Sequence, residues 1–266
     1  MRAPFEPRAT APAPRISIVN PNTTEAITAL LVASAASVRG PTTRISGHTA
    51  SRGVPYISSR AEALLGGAVA LEMIAGLESQ SDAIIIAAFG DPGLMAARQL
   101  FDVPVIGMSE AAMLTACMLG RRFAIVTFSS ALADWYEDCV EMHRMEGRLS
   151  GIFSTATNFT NIGEVQNAAA DALVTLCHRA VEGGAEVIIL GGAPLAGLAS
   201  RVRDLVPVPI VDPIAAAVKQ AEGLVALNSR KPSTGAFKRP QAKSSSGLPS
   251  LLAAKFEHAD LKSAAE

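Results

Sequence analysis

The sequence contains little cysteine. Only 3 of its 266 residues are cysteines, and its 4 histidines lie far apart along the chain. An odd, scattered set of cysteines excludes a disulfide framework, and the chain has neither a CxxC metal knuckle nor an HExxH motif. We therefore expect no disulfide scaffold and no metal site.

Charge of one sign and long apolar runs are also missing. The chain has 23 Lys and Arg against 24 Asp and Glu, which argues against a nucleic-acid partner bound through bulk charge. No run reaches the roughly 18 consecutive apolar residues of a membrane span. Residues 1–14 carry charges and prolines where a secretory signal needs an apolar stretch. We expect a soluble cytoplasmic protein with no nucleic-acid or membrane partner.

Hydrophobic sequence is abundant. Hydrophobic residues make up 49% of the chain, and the mean hydropathy is +0.31, which excludes a disordered chain and favours sheets buried on both faces. Short runs rich in Ile and Val alternate with Ala/Leu-rich stretches of helical length, which predicts an α/β fold with parallel sheets flanked by helices. The predicted strands cover residues 16–19, 83–87, 103–106, 123–127, 187–190 and 210–211, and the predicted helices cover 24–38, 59–77, 94–100, 109–119, 132–145, 164–182 and 214–227.

A weak internal repeat divides the folded part in two. Residues 16–20 resemble 123–127, and residues 81–88 resemble 184–192, with a little over 100 residues between the members of each pair. This indicates two pseudo-symmetric lobes and a cleft between them, because ligands of α/β sheets bind beyond the carboxyl ends of the strands. The predicted units are a disordered arm (1–14), lobe 1 (15–108, completed by helix 213–227), lobe 2 (109–212), and a flexible tail with a possible short helix (228–266).

Two of the loops that follow predicted strands carry polar side chains. Asn20 and Thr23 precede a helix whose first N–H groups would face the cleft. Thr127 and Ser129 offer hydroxyl groups at the end of a strand in the second lobe. Each loop is a candidate to hold a carboxylate or an imide oxygen, and each also fits an ordinary capped turn.

The other two loops are rich in Gly and Pro. Residues 89–93 and 191–195 allow tight turns that bring backbone close to a small ligand. In the first of these loops, Asp91 is expected to cap the helix that follows. The chain has no GxGxxG, GxxxxGK[ST] or GxSxG motif, so we predict neither nucleotide binding nor a serine-hydrolase elbow, and no cofactor is expected.

Taken together, the strand-end segments resemble a known family. The resemblance is to the hydantoin/allantoin racemase branch of the aspartate/glutamate racemase superfamily, and it runs from about residue 15 to residue 227. It implies two pseudo-symmetric α/β lobes, a cofactor-free site between them, a small hydantoin-like or carboxylate substrate, and a homo-oligomer. The segments that carry it are NPNTT (20–24), DAIIIAAFGDPGL (82–94), PVIGMSEAA (104–112) and GAEVIILGGA (184–193).

The resemblance also implies where acid–base groups would stand. Racemases of this family use one cysteine from each lobe, on opposite faces of the substrate's acidic carbon. The matching catalytic positions are Ala88 and Gly192, whose side chains can neither hold nor accept a proton. Racemisation by two thiols therefore cannot operate in this chain as it does in the family.

Three interpretations of this chain stay open. In the first, Ala88 is an engineered replacement of a catalytic cysteine in an isomerase of the family. In the second, the chain is a relative that uses one cysteine or none for another reaction on a ring: hydrolysis, removal of sulfur from a thiohydantoin, or decarboxylation. In the third, it is a non-catalytic binding protein for a small molecule.

Few residues are candidates to replace the missing thiols. Glu110 opens a helix and is predicted to reach the cleft as a catalytic group, although a carboxylate is also favoured in any first helical turn. We expect His143 to face solvent, Cys117 and Cys177 to be core thiols, and the acidic neighbours of Cys139 to raise its pKa. The predicted substrate-binding residues are Asn20, Thr23, Tyr56, Phe89, Gly90, Thr127, Ser129, Gly191 and Ala193.

Overall fold

The first lobe is built on a parallel sheet. The structure is a computed structural model that describes residues 13–155 and 165–259. The strands of this lobe are β1 (Arg15–Asn20), β2 (Arg44–Thr49), β3 (Ala83–Ile86) and β4 (Val105–Gly107). They pair in parallel in the order β2-β1-β3-β4. Every residue of β3 is buried, as its unbroken apolar run predicts for a central strand covered on both faces.

The second lobe repeats this arrangement. Its strands are β5 (Phe123–Thr127), β6 (Leu149–Ser154), β7 (Val187–Leu190) and β8 (Ile210–Val211). They also pair in parallel, in the order β6-β5-β7-β8. Because the two sheets share one strand order, the prediction of two pseudo-symmetric α/β lobes is confirmed.

Helices flank both sheets and join the lobes. They are α1 (Glu25–Val38), α2 (Arg60–Leu77), α3 (Leu94–Leu100), α4 (Met108–Leu119), α5 (Ala133–Met142), α6 (Val165–Glu182), α7 (Leu198–Val202) and α8 (Pro213–Ala226). Helix α8 packs on β3, β4, α1 and α4, so it covers the sheet of lobe 1 although it follows lobe 2 in sequence. None of the described helices has the length and apolar character needed to cross a bilayer. One hydrophobic core runs through both lobes, which joins them into one packed body.

Two of the four edge strands, β2 and β6, were not predicted from the sequence. Strand β2 (RISGHT) and strand β6 (LSGIFS) each contain serine and glycine and lack a continuous apolar run. Their residues are largely half-buried or exposed, because an edge strand has a neighbour on one side only. The hydrophobic pattern that reveals central strands is therefore absent from them.

The segment after α8 is the one for which we expected a flexible tail with a possible short helix. It ends in a helix, α9 (Ser250–Glu257), which packs against α2 and buries Leu252. The ammonium group of Lys255 pairs with the carboxylate of Glu78, and both side chains are buried. The aliphatic stem of a lysine packs well on apolar surface, so this pair anchors α9 to lobe 1. Residues 1–12 of the predicted arm (1–14) and the last residues, 260–266, lie outside the described residues.

Candidate functional site

A small cavity lies between the lobes at the carboxyl ends of the strands. Lobe 1 contributes the loops after β1, β2 and β3, and lobe 2 contributes α5 and the loop after β7. The cavity has a volume of about 20 Å³, which is room for one water molecule. Its lining residues are Asn22, Tyr56, Ile57, Ala88, Phe89, Trp135, Tyr136 and Ala193.

Of the two positions implied for the acid–base groups, Ala88 lines this cavity, and Gly192 directly precedes a lining residue. Ala88 lines it from lobe 1, and Ala193 lines it from lobe 2 directly after Gly192. Gly192 has φ of 129°, a conformation that favours glycine. A Cβ atom built on Gly192 would lie 3.5 Å from the phenol oxygen of Tyr136 and only 2.8 Å from Cε1 of Phe128. The backbone at residue 192 is therefore shaped for glycine, and the phenol of Tyr136 stands beside it.

Aromatic rings close the cavity. The rings of Phe89 and Tyr136 meet edge to face with 4.7 Å between their centroids, and the centroids of Trp135 and Tyr136 lie 5.8 Å apart. Tyr56 from lobe 1 packs on Phe128 from lobe 2, at 5.7 Å between centroids. Sequence analysis predicted Phe89 and Tyr56 at the site and missed Trp135 and Tyr136. The sequence feature that could have revealed Trp135 and Tyr136 is their position as an aromatic pair on a helix otherwise rich in acidic residues.

The phenols at the cavity are neutral. Burial raises the pKa of both Tyr56 and Tyr136, and the interaction between their two phenol groups raises the pKa of Tyr56 further. The hydroxyl of Thr127, at the end of β5, lies close enough to lower the pKa of Tyr136 slightly. Thr127 Oγ1 is nevertheless buried without a hydrogen bond of ordinary length and angle to the described residues. These groups can donate hydrogen bonds to a ligand and cannot accept a proton near neutral pH.

The predicted polar residues of lobe 1 mostly support the turn after β1. The amide nitrogen of Asn20 donates to Asn22 Oδ1 and to Thr28 Oγ1, and both donor–acceptor distances are 3.0 Å. Asn20 is fully buried. Thr23 pairs through its backbone N–H with the carbonyl of Val54. Asn22, which sequence analysis missed, lines the cavity, and its amide nitrogen makes no hydrogen bond within the described part of the chain.

The remaining predicted residues have structural contacts. Ser129 Oγ accepts from the N–H of Ala131, so its hydroxyl caps a short helical turn. A Cβ on Gly191 would lie 3.2 Å from Cε1 of Phe89, and a Cβ on Gly90 would lie 2.2 Å from Cζ2 of Trp135. Both glycines therefore serve as the backbone surfaces on which the cavity's rings pack.

Asp91 caps a different helix from the one expected. Its carboxylate accepts hydrogen bonds from the backbone N–H groups of Ser109 and Glu110 at the start of α4, and both donor–acceptor distances are 2.8 Å. At α3, the helix that directly follows Asp91, the backbone N–H of Leu94 donates to the backbone carbonyl of Asp91 and not to its carboxylate. The carboxylate also accepts from His143 Nε2 over 3.1 Å. Asp91 therefore holds the loop that begins at Ala88 to the start of α4 and, through His143, to the end of α5.

His143 is buried, which corrects the expectation that it faces solvent. Its side chain is 2% exposed, and its Nδ1 lies 3.4 Å from Glu110 Oε1. Burial alone would lower the pKa of His143, but its hydrogen bonds to Asp91, Cys139 and Glu110 raise it to about 11. The residue lies at the end of α5 in lobe 2 and contacts the Asp91 loop of lobe 1. It is therefore a charged link between the lobes.

Glu110 belongs to this buried cluster and is not among the residues that line the cavity. Its carboxylate pairs with the guanidinium of Arg98, and the two groups share two hydrogen bonds. Burial alone would raise the pKa of Glu110, but His143 and Arg98 lower it to about 2. With two cations and two carboxylates, the cluster Asp91–Arg98–Glu110–His143 is balanced in charge. Its carboxylates hold the cluster together, and a direct role for Glu110 at the substrate stays a prediction.

The thiols lie away from the cavity lining as well. Cys139 lies beside His143, and burial raises the pKa of its thiol to about 11. Possible metal ligands on Asp91, Cys139 and His143 lie within 4.8 Å of one another, the one such group in the described residues. The carboxylate and imidazole are already joined by hydrogen bonds, so a protonated imidazole satisfies this group without a metal.

The buried cluster predicts how stability varies with pH. Because the pKa of His143 is raised from 6.5 to about 11, its contribution is complete below pH 6.5 and is lost as pH rises toward 11. Because the pKa of Glu110 is lowered from 4.5 to about 2, its contribution is complete above pH 4.5 and is lost as pH falls toward 2. We expect the free energy of unfolding to be highest between these limits.

Urea unfolding between about pH 5 and pH 8 measures this dependence below the range where Cys139 titrates. Above pH 6.5 the wild-type free energy of unfolding should fall by up to about 1.4 kcal/mol per pH unit. The His143→Gln variant should lack this decline. Equal slopes in the two proteins would contradict a charged, buried His143.

Comparison with known proteins agrees with the fold. The family model Asp/Glu/Hydantoin racemase matches residues 16–221. The chain is 33% identical over 232 residues to the hydantoin racemase of Paenarthrobacter aurescens (86% of this chain, 98% of the relative) and 34% identical over 231 residues to that of Pseudomonas sp. strain NS671 (86% and 93%). Allantoin racemase from Klebsiella pneumoniae superposes with a TM-score of 0.84 at 33% identity, over 90% of this chain and 98% of that one. The chain therefore belongs to the Asp/Glu/hydantoin racemase family.

Proposed function

We propose that this protein binds a small hydantoin-like cyclic ureide in the cavity between its lobes. The observation that carries the proposal is the lining of this cavity, which combines neutral hydrogen-bond donors with apolar rings and has no cationic side chain among its described residues. A buried carboxylate needs a cationic partner, whereas the carbonyl oxygens and N–H groups of a neutral ring need only neutral hydrogen-bond partners. The lining therefore favours a cyclic ureide over a carboxylate.

Three groups are suited to the oxygens of such a ring. The amide nitrogen of Asn22 has no partner within the described residues, and the phenols of Tyr56 and Tyr136 line the same space. Backbone at residues 88 and 193 borders the cavity from the two lobes. A ring held between these walls would present its carbon atoms to the positions where the family's acid–base groups are expected.

We propose further that the chain does not invert this carbon by the family's two-base route. Ala88 and Gly192 carry no titratable group, and the raised pKa values of the two tyrosines make them poor bases near neutral pH. Cys139 is held as a neutral thiol next to His143 and is not among the lining residues. These observations favour binding without racemisation.

A second candidate is decarboxylation of a bound acid with one-sided protonation. It is supported by the 3.5 Å between the phenol oxygen of Tyr136 and the Cβ position of Gly192. The C–C bond to the carboxylate would break and release CO₂, the carbanion would take the phenol proton of Tyr136, and the phenolate would regain a proton from water. Hydrolysis and sulfur removal are less favoured because both need an active thiol or base at the cavity.

Calorimetric titration with hydantoin, allantoin and a dicarboxylate, followed by proton NMR in D₂O, tests both candidates. We expect saturable binding of a cyclic ureide, with exchange of its acidic C–H no faster than in buffer alone. Binding with rapid exchange or loss of optical activity would overturn the non-racemising assignment. Release of CO₂ from an added acid that Tyr136→Phe abolishes would favour the second candidate. Absence of binding by any of these compounds would overturn the proposal.

The proposal includes the location, the lack of a cofactor and the oligomeric state predicted from the sequence and from the family resemblance. We propose a cytoplasmic protein that needs no cofactor and works as a homo-oligomer, with a small molecule as its partner. Size-exclusion chromatography with light scattering measures the oligomeric state, and a monomer at micromolar concentration would contradict that part.

A further inference from the structure

A groove lies outside the cavity, between α2 of lobe 1 and α5 of lobe 2. Its volume is about 240 Å³, far larger than that of the closed cavity. Lining residues recur at helical spacing on both helices, so one face of each helix forms a wall. The groove is lined by Arg60, Ala63 and Leu64 from α2, by Trp135, Asp138, Cys139 and Met142 from α5, and by Gly90.

Trp135 separates this groove from the cavity. Its side chain lines both spaces, and the residue is 8% exposed. The indole lies directly on the backbone of Gly90, since a Cβ there would lie 2.2 Å from Cζ2. Rotation of this one side chain away from Gly90 would therefore join the groove to the cavity. No cyclic ureide fits the cavity while the indole is in place, because only one water can enter.

We infer that Trp135 is the movable wall of the binding site and that the groove receives an apolar substituent of the bound ring. This inference rests on the proposed function. The ring would enter through the groove, displace the indole, and leave its substituent between α2 and α5. Trp135 thus sets which ring substituents are accepted.

The chemistry of the groove selects an apolar substituent. Leu64 is 79% exposed and Met142 is 40% exposed, so both offer apolar surface that a ligand would remove from water. The single cation of the groove, Arg60, is already paired with Asp138, at 2.5 Å from Nε to Oδ2 and 3.0 Å from Nη2 to Oδ1. An anionic substituent would have to compete with that carboxylate.

The fluorescence of the protein reports on this movement directly, because Trp135 is its single tryptophan. We expect 5-benzylhydantoin to shift the emission of Trp135 as it saturates the site, and unsubstituted hydantoin to bind more weakly. Leu64→Arg would block the groove, and we expect it to weaken 5-benzylhydantoin binding by about tenfold or more. The same variant should weaken the binding of unsubstituted hydantoin by a smaller factor, because that ligand leaves no substituent between α2 and α5.

Leu65→Arg is the matched control. Leu65 is the next residue of α2, it is 55% exposed, and it does not line the groove. Trp135→Ala should strengthen 5-benzylhydantoin binding in calorimetry, because the wall no longer has to be displaced.

The outcomes separate the two proposals. Equal effects of the Leu64 and Leu65 variants, or emission that stays constant on saturation, would overturn the role of the groove while hydantoin binding still supports the proposed function. Failure of every hydantoin to bind would overturn both.

Discussion

Replacing His143 by alanine is expected to lower the free energy of unfolding by about 3 kcal/mol or more. The imidazole is buried and joins Asp91 of lobe 1 to the end of α5 in lobe 2. Its removal leaves the buried carboxylate of Asp91 and the partly buried carboxylate of Glu110, with Arg98 as the one remaining cation of the cluster. An uncompensated buried charge costs more than the pair itself contributes.

Urea unfolding at pH 6 measures this loss, and His178→Ala is the control. His178 lies on α6 and is exposed, so its removal should change stability by less than about 0.5 kcal/mol. If His143→Ala does not fold, Asp91→Asn keeps the size of the cluster and removes one negative charge, and it should also destabilise. A His143→Ala variant as stable as the His178→Ala variant would contradict the charged link between the lobes.

The fold could be predicted from the sequence wherever burial is continuous. Strands β3 and β7 are covered on both faces, so they read as unbroken Ile/Val-rich runs, and the repeat between the lobes follows from them. Strands β2 and β6 were missed because, unlike the edge strands β4 and β8, they contain no short run of Ile and Val. The anchor of the helix in the tail, the pair of Lys255 and Glu78, could not be predicted because it joins residues far apart in sequence.

The candidate site was predictable only in part, because its key contacts are tertiary. Ala88, Phe89, Tyr56 and Ala193 were predicted, and they do line the cavity. The bond between His143 and Asp91 joins residues 52 positions apart, and no local pattern marks it. A histidine on a helix of mixed polarity looks exposed in sequence, and only the fold reveals that it meets two carboxylates.

Trp135 and Tyr136 were missed for a related reason. Neither belongs to a strand-end loop, the place where α/β folds usually hold their ligands. They reach the cavity from the first turns of α5, where an aromatic pair is unusual beside so many acidic residues. Gly90 leaves room for the ring of Trp135, and Gly191 leaves room for the ring of Tyr136. The glycines in the strand-end loops and the aromatic pair on α5 therefore pack against each other.

Replacing Ala88 by cysteine is expected to create proton exchange that the present protein lacks. Ala88 lines the cavity and is 5% exposed, so a thiol there would face the bound ring with little change in packing. A positioned general base accelerates proton transfer by about 10²–10⁴-fold. We expect deuterium to enter the acidic C–H position of a bound hydantoin at least about 100-fold faster than in wild type. Proton NMR in D₂O measures this rate, and Ala88→Ser is the control of similar size without a thiol.

Exchange should occur without inversion, because the opposite face stays without a base. A cysteine at Gly192 would need φ of 129° and would bring its Cβ within 2.8 Å of Phe128, a strain of about 1–3 kcal/mol. In the single variant, deuterium therefore returns to the face from which the proton left, and an enantiopure 5-substituted hydantoin should become labelled while it keeps its optical activity. None of the described residues that line the cavity is a cation that could stabilise a thiolate, so the exchange rate should rise with pH through the alkaline range. Equal rates for Ala88→Cys and Ala88→Ser would show that residue 88 does not face the acidic carbon, and loss of optical activity in step with labelling would reveal a second base on the other wall.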